Sequence, residues 1–475
     1  MKIVGLITEY NPFHNGHQYH LEQAKEISGA DEAVVIMSGD YVQRGTPAIM
    51  PKSLRTEMAL AAGAAAVFEL PFPYATGSAE LFAHGAVSFL HALGCVVSLV
   101  FGSEHGDIEK LDTLADILNK EPAAFQHYLQ ENLKQGVSFP RARAEALEKY
   151  LNHLKNAKQI ESDETINNSN HIKEVDSFNS QTVEKINLFE IQDYVTLMKE
   201  PNNILGIEYL KALKKLNSPM KAYCLKRQGA HYHEKEIKPA FSSATAIRSL
   251  LAYTGNVYST FGDEKKEREN KKNKEEHNKG LSTILRALKG QVPESCLDIL
   301  VDNHGLNYPV YQKDFSLLLK YKLLEKSPGE LNLYQDVSLE LANKIHNQLN
   351  HFLNTKQFSQ LLKSKDITQT RINRALLHIL LGLKKTDLTE YCQNGYHFYG
   401  RLLGFQKGKD ALISHLHKNS DIPIITKTNP ERNLHPLGQQ MLAQETLASN
   451  LYQSVITNKF KKPFENEYSR GVIKL

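Results

Sequence analysis

With 475 residues, 41% of them hydrophobic and 23% charged, the chain is long enough for two or three domains with sizeable cores. It has no run of about eighteen apolar residues for a membrane span, and its N-terminus, a strand pattern soon followed by Glu9, is not a signal peptide. The formal charge of +4 excludes little, and the four scattered cysteines (Cys95, Cys224, Cys296, Cys392) argue against both a zinc site and a disulfide framework, so the expectation is a cytoplasmic globular protein.

The chain opens with a buried-strand pattern (Ile3, Val4, Leu6, Ile7) that runs into Thr8-Glu9-Tyr10-Asn11-Pro12-Phe13-His14-Asn15-Gly16-His17. Leu21, Ala24 and Ile27 then fall at helical spacing. Strand, tight turn and helix start together favour an anion, through unpaired amides and the helix dipole. Two imidazoles at that end can donate to phosphate oxygens and stabilise charge developing at phosphorus. Gly16 leaves room for something large against the backbone. A metal pair and two solvent-facing residues are the competing readings of HxxH. The preceding Asn-Pro-Phe and the place at the first strand end favour the anion site.

Apolar, β-rich runs at Ile3–Ile7, Ala33–Met37, Ala65–Leu70 and Cys95–Phe101 alternate with helical patterns at about His17–Ile27, Lys52–Ala62 and Ser78–Leu93. This predicts an α/β fold, a Rossmann-like doubly wound parallel sheet with its ligand beyond the carboxyl ends of the strands. The four runs end in Thr8-Glu9-Tyr10-Asn11, Ser38-Gly39-Asp40 with Gln43-Arg44-Gly45, Glu69-Leu70-Pro71-Phe72-Pro73 and Gly102-Ser103-Glu104, read together as one active-site rim.

Residues of about 152–190 are rich in Asn, Ser, Lys and Glu and read as a surface insertion. A helix follows from Pro201 through Leu213, with Asn202 and Asn203 as either N-cap or nucleotide-facing residues. Met220–Leu225 reads as a strand ending in Lys226-Arg227-Gln228-Gly229. Ser242–Arg248 opens a helix, where hydroxyls serve as caps or, with Arg248, hold a triphosphate. His231-Tyr232-His233 lacks carboxylate or thiolate partners and reads as surface. A charged linker or loop spans 261–280, so the domains expected are 1–260 and 281–475.

Beyond 281 the β-alternation disappears, and a mainly α-helical C-terminal domain is expected, with helices at Ser282–Leu288, Phe315–Leu324, Ser338–Phe352, Gln357–Leu362, Thr370–Leu383, Gly408–Leu416 and from Pro436 to about Leu451. Leu361–Leu475 holds 17 Lys and Arg against 9 Asp and Glu, a basic excess that suits a polyanion or a solvated lysine-rich surface equally. Arg371, Arg374, Lys384 and Lys385, with Tyr396, Phe398, Tyr399 and Arg401, suit contacts to phosphates and unstacked bases, or core packing by the aromatics.

Gly5–His17 resembles the nucleotidyltransferase superfamily whose signature is an Asn/Asp-Pro-x-His-x-Gly-His turn. Taken with Met37-Ser38-Gly39, Gln43-Arg44-Gly45, Phe68-Glu69-Leu70-Pro71, Phe101-Gly102-Ser103-Glu104, Pro201–Gly206 and Ser242–Arg248, it resembles the bacterial tRNA(Met) cytidine acetate ligase family. The resemblance is strong over most of residues 1–260 and weak over the helical region. It implies activation of acetate by ATP to acetyl-adenylate, then acetylation of N4 of the wobble cytidine of elongator tRNA(Met). It implies catalytic roles for His14 and His17, and ATP contacts from Ile7, Thr8, Glu9, Tyr10, Asn11, Pro12, Phe13, His14, Asn15, Gly16, His17, Gln18, Tyr19, His20, Gly102, Asn202 and Arg227. Mg2+ would come with ATP, since the sequence shows no dedicated carboxylate cage. The competing functions are a small-molecule adenylyltransferase, which needs no tRNA surface, and a non-catalytic RNA-binding protein, which would not need His14 or His17.

Overall fold

The computed structural model describes residues 1–162, 190–227, 243–254, 285–286, 288–365, 367–427 and 433–475. Most of the expected polar insertion, the His231-Tyr232-His233 triplet, the 261–280 run and the helix start at Ser282 lie outside the described residues.

The strands are β1 (Ile3–Thr8), β2 (Glu32–Ser38), β3 (Tyr41–Val42), β4 (Thr46–Pro47), β5 (Ala66–Leu70), β6 (Val96–Ser103), β7 (Lys221–Lys226), β8 (Gly400–Phe405), β9 (Ile424–Ile425) and β10 (Ile473–Lys474). The main sheet runs β10-β8-β5-β2-β1-β6-β7, with β9 beside β8. β1 pairs in parallel with β2 and β6, so its apolar run is buried on both faces. From β1 the chain builds outward through β2 and β5, then crosses back to add β6 and β7 on the other side. That reversal lies between β1 and β6, where open sheets leave a crevice at the carboxyl ends of their strands.

Helices cover both faces. Asn15–Ser28 and Lys52–Ala61 lie over Val4, Leu6 and Val35, and Ala79–Ala92 and Pro201–Lys215 over the other face. A Cβ at Gly5 would sit 2.7 Å from the Leu90 side chain, so the missing side chain lets the second layer close on β1.

The C-terminal residues form the expected mainly helical region, with three strands in addition. Helices Ser316–Glu325, Gln369–Leu381 and Pro436–Phe460 do pack around a core of their own, including Leu319, Leu323, Ile372, Leu376 and Tyr452. Yet β8, β9 and β10 return to the main sheet, β8 running antiparallel to β5. Gly400-Arg401-Leu402-Leu403-Gly404-Phe405 is wholly buried, but Arg401 and two glycines break the apolar run that would have marked it as a strand. Arg374, Phe398, Tyr399 and Arg401, read above as RNA contacts or core, are buried. The polar segment after Asn152 also begins as helix, continuing Phe139–Ser162.

What makes Arg401 acceptable inside is a buried ionic cluster. Its Nη1 lies 2.9 Å from Glu69 and its Nη2 2.5 Å from Glu467. The same two carboxylates lie 2.6 and 2.8 Å from Lys52 Nζ, which also donates to Ser449 Oγ at 2.7 Å. Glu445 accepts from the Phe72 amide at 2.7 Å; burial and the Glu69 charge push its carboxyl well above the usual range. Two tyrosines add reciprocal ties: Tyr41 donates to the Ala448 carbonyl at 3.0 Å, and Tyr452 to that of Ala48 at 2.8 Å.

Removing one member of such a cluster leaves a buried charge uncompensated, at a cost of roughly 3–5 kcal/mol. Lys52→Met should lower the unfolding free energy by about that much in urea titrations. Burial would raise the Glu467 carboxyl, but Lys52 and Arg401 outweigh it and hold it at about 2. An unfolded glutamate titrates near ~4.3. The stabilisation from Glu467 is therefore complete above roughly pH 4.5 and disappears as pH falls towards about 2. Glu467→Gln should flatten that acid limb of the stability curve.

Candidate active site

At the end of β1 the chain reverses through Tyr10, whose φ is 46°. The turn is held from both sides. Asn11 Oδ1 accepts from the Ile49 amide at 2.8 Å, and the Asn11 carbonyl accepts from Arg248 Nη1 at 2.6 Å. Buried Arg55 donates to the Glu9 carbonyl at 2.7 Å and to that of Ser38 at 2.9 Å, tying the ends of β1 and β2 together.

His14 caps the helix that follows. Its Nδ1 accepts from the Gly16 amide at 3.1 Å, and His17 Nδ1 accepts from the His14 amide at 3.3 Å. The rings stack with centroids 3.7 Å apart. Because both Nδ1 atoms accept, both neutral rings carry their proton on Nε2. Burial pushes His14 down to about 3, with Arg227 and Arg248 adding to the shift. Burial and the His14 and Arg227 charges hold His17 well below its usual range. His20, held down to about 4 by burial, has its Nε2 3.2 Å from the Val100 carbonyl. The pair presents two uncharged N–H donors.

Open helix-start amides were expected here, but protein groups occupy them. The Asn15 amide goes to the Gln291 carbonyl at 3.0 Å, that of Gly16 to His14, and that of His17 to the His14 carbonyl at 2.8 Å. A Cβ at Gly16 would lie 2.9 Å from His14 Cε1, so this glycine makes room for the imidazole.

These groups face a cavity of about 700 Å³. Of the residues expected to contact ATP, Ile7–Asn11, His14, Gly16, His17, Tyr19, His20, Gly102, Asn202 and Arg227 lie on its wall. Pro12, Phe13, Asn15 and Gln18 do not: Phe13 is buried against Tyr10, Asn15 Nδ2 donates to the Gly290 carbonyl, and Gln18 pairs with Glu22. The Arg227 stem lies over Gly102, where a Cβ would meet Cγ at 3.4 Å. Neither Asn202 nor Asn203 is an N-cap. They are the second and third residues of the helix Pro201–Lys215, and their amides donate to the Glu104 carboxylate. Asn203 is fully buried and accepts from Ser103 Oγ at 2.6 Å; Asn202 reaches the wall while donating to Glu104.

The rim is narrower than four strand ends. Of the four expected, those of β1 and β6 line the cavity together with Gln43 and Arg44, and β7 adds a further end. Ser38, Gly39 and Asp40 do not reach it, and Glu69 near the end of β5 and Phe72 beyond it are buried beneath the C-terminal helices. Sequence reasoning also missed part of the wall: Tyr311, Gln312, Lys313 and Lys356 come from the C-terminal region. Nothing local could mark residues so distant in sequence. The hairpin β3–β4 brings in Arg44, with the Gln43 amide donating to Glu9 at 2.8 Å. At its tip Gly45, φ 72°, lies against Arg374, whose amide nitrogen a Cβ would meet at 2.3 Å. The wall therefore combines two neutral imidazoles with Arg44, Arg227, Arg248, Lys313 and Lys356, a setting for a polyanion.

A family model described as HIGH Nucleotidyl Transferase matches residues 1–467. The tRNA(Met) cytidine acetate ligase of Acetivibrio thermocellus is 34% identical over 475 residues, and that of Clostridium acetobutylicum 36% over 475, each covering 100% of both chains. The chain belongs to the tRNA(Met) cytidine acetate ligase family. Among solved structures, Thermotoga maritima TmcAL bound with alpha-thio ATP superposes with a TM-score of 0.78 at 29% identity, covering 100% of both chains. Its apo form gives 0.79. The likeness thus spans the helical C-terminal region, where the sequence motifs of this ligase family are sparse.

Two measurements test the histidine pair. His14→Ala or His17→Ala should each slow adenylation by roughly 10²–10³-fold with the far-ultraviolet dichroism unchanged. In the free protein, the His14 ring resonances should stay flat from about pH 5 to 8, since its pKa is held down to about 3, and those of His17 should titrate below the ordinary imidazole range.

Proposed function

We propose that this chain is an ATP-dependent ligase that activates acetate as acetyl-adenylate and acetylates N4 of the wobble cytidine of elongator tRNA(Met). The observation that carries the reading is the stacked, neutral His14–His17 pair beside Arg227 and Arg248 in the switch-point cavity of a chain belonging to this ligase family.

A carboxylate oxygen of acetate attacks the α-phosphorus of ATP. The new P–O bond forms as the bond to pyrophosphate breaks. Acetate is already ionised, so this step needs positioning and charge stabilisation and no general base. His14 and His17 donate from Nε2 to phosphate oxygens, and Arg227 and Arg248 balance the charge carried off by pyrophosphate. Neutral imidazoles can fill this role, because each keeps an N–H on Nε2 while its Nδ1 accepts from the backbone. In the second step N4 of cytidine attacks the acetyl carbon, AMP leaves, and N4 loses a proton. Mg2+ arrives with ATP; among the described residues no group of three or more His, Cys, Asp or Glu side chains is placed to hold an ion.

In this reading residues 1–260 supply most of the adenylation site, and 281–475 complete its wall with Tyr311, Gln312, Lys313 and Lys356 and supply the tRNA-facing part, with acetate and elongator tRNA(Met) as partners. No described helix is long and apolar enough to cross a membrane, and a tRNA substrate supports a cytoplasmic setting.

The test is mass spectrometry of tRNA(Met) after incubation with ATP and isotopically labelled acetate, alongside acetate-dependent exchange of pyrophosphate into ATP. Labelled N4-acetylcytidine at the wobble position is the expected product. A requirement for acetyl-CoA with acetate inert would overturn the reading. Turnover of a phosphorylated metabolite without any effect of tRNA would favour a small-molecule adenylyltransferase.

A further inference from the structure

Beside the cavity mouth lies a surface that the adenylation chemistry does not use. The helix Ser316–Glu325 buries Leu319 and Leu323 in the C-terminal core. Its opposite face carries Leu317, Tyr321 and Leu324, spaced i, i+4, i+7, with exposures of 81%, 59% and 65%. Leu353 on the neighbouring segment is 79% exposed. The two segments are joined directly, since the Thr355 amide donates to Ser316 Oγ at 3.0 Å. Soluble surfaces carry single exposed leucines commonly, but a row of large apolar side chains on one helix face marks a contact surface.

Lysines frame this row. Lys320 lies on the same helix face, its Nζ 5.8 Å from the Phe352 ring centroid. Lys313, just before the helix, and Lys356, next to the Thr355 that bonds Ser316, also line the cavity. Among the described residues, none of these three lysines has an ion pair within 4 Å, whereas Lys322, Lys326 and Lys459 are paired with Glu325, Glu330 and Asp314. The surface thus combines an aromatic ring, aliphatic faces and unneutralised ammonium groups, and Lys313 and Lys356 link it to the cavity wall.

We propose that this face, Leu317-Lys320-Tyr321-Leu324 with Leu353, is the docking surface for the single-stranded RNA that flanks the acceptor nucleotide, Lys313 and Lys356 passing the phosphodiester chain to the cavity. This rests on the ligase reading above. Single-stranded nucleic acid binds through base faces stacked on aromatic and apolar side chains together with lysine contacts to phosphate, which matches this composition. A second copy of the chain is the competing occupant. A two-fold contact through this face would set Lys320 and its neighbours against the same lysines, a like-charge arrangement that a polyanion instead neutralises.

The test uses the full chain with Lys320→Glu, Tyr321→Ala and the double substitution Leu317→Ser/Leu353→Ser. All are at the surface, so folding should be unaffected. Filter binding of a tRNA(Met) transcript should weaken by about tenfold or more in each, with a shallower salt dependence for Lys320→Glu. KM for tRNA should rise in step, while acetate-dependent pyrophosphate exchange without tRNA stays within about twofold of the wild-type rate. Unchanged tRNA binding in all three variants overturns the proposal. So does a wild-type dimer in sedimentation that Leu317→Ser/Leu353→Ser converts to monomers without loss of tRNA affinity. If the wild-type chain shows no acetate-dependent exchange, the ligase reading has failed, and transcript binding by the variants still decides the surface.

Discussion

The structure depends on the side chain of Lys52. It is buried at the start of a helix on one face of the sheet, and its ammonium group lies between Glu69 at the end of β5 and Glu467 near the chain's end. A lysine in that position is tolerable only if opposite charge meets it at close range. The carboxylates come from two parts of the chain, and Arg401, on the added strand β8, completes the square. The C-terminal region is therefore docked by satisfying a charge that the N-terminal sheet would otherwise leave stranded. Tyr41 and Tyr452 close the same junction by each donating to a carbonyl on the other side.

That docking shapes the active site. The hairpin carrying Gln43 and Arg44 is too short to hold itself in place. It is held between the Glu9 carboxylate and the helix Gln369–Leu381, with Gly45 allowing backbone contact. The same junction brings Lys313 and Lys356 to the cavity wall opposite β1. Burial keeps the imidazoles neutral, and so fixes the pair as N–H donors. Charge in the cavity is supplied instead by arginine, which desolvation does not neutralise.

A polynucleotide acceptor asks for more than an adenylation site. The nucleotide to be acetylated has to enter the cavity while its neighbours remain outside, and the C-terminal helices border the entrance on that side. In the proposal above, the apolar and lysine-bearing face of Ser316–Glu325 receives those neighbours. Activation and acceptor recognition can then share one mouth, with the C-terminal region contributing to both.

By itself the sequence determined the N-terminal sheet and its turn. Residues buried on both faces of a parallel sheet must form unbroken apolar runs, so β1, β2, β5 and β6 stood out to within a few residues, as did the helices between them. The turn from Thr8 to His17 was legible because Pro, Gly and two histidines serve a local geometry. What only the tertiary structure decided were features whose partners lie far along the chain. β8 was hidden because Arg401 interrupts its apolar pattern and finds its carboxylates at Glu69 and Glu467. Asn203 and the amides of the helix Pro201–Lys215 owe their roles to Ser103 and Glu104. The strand end after β5 looked like active-site rim but was covered, because polar residues at strand ends have the same composition whether a cavity or another helix lies beyond them. Local chemistry is written in local sequence, whereas which charge meets which, and so which residues share the cavity, follows from how the two parts of the chain dock.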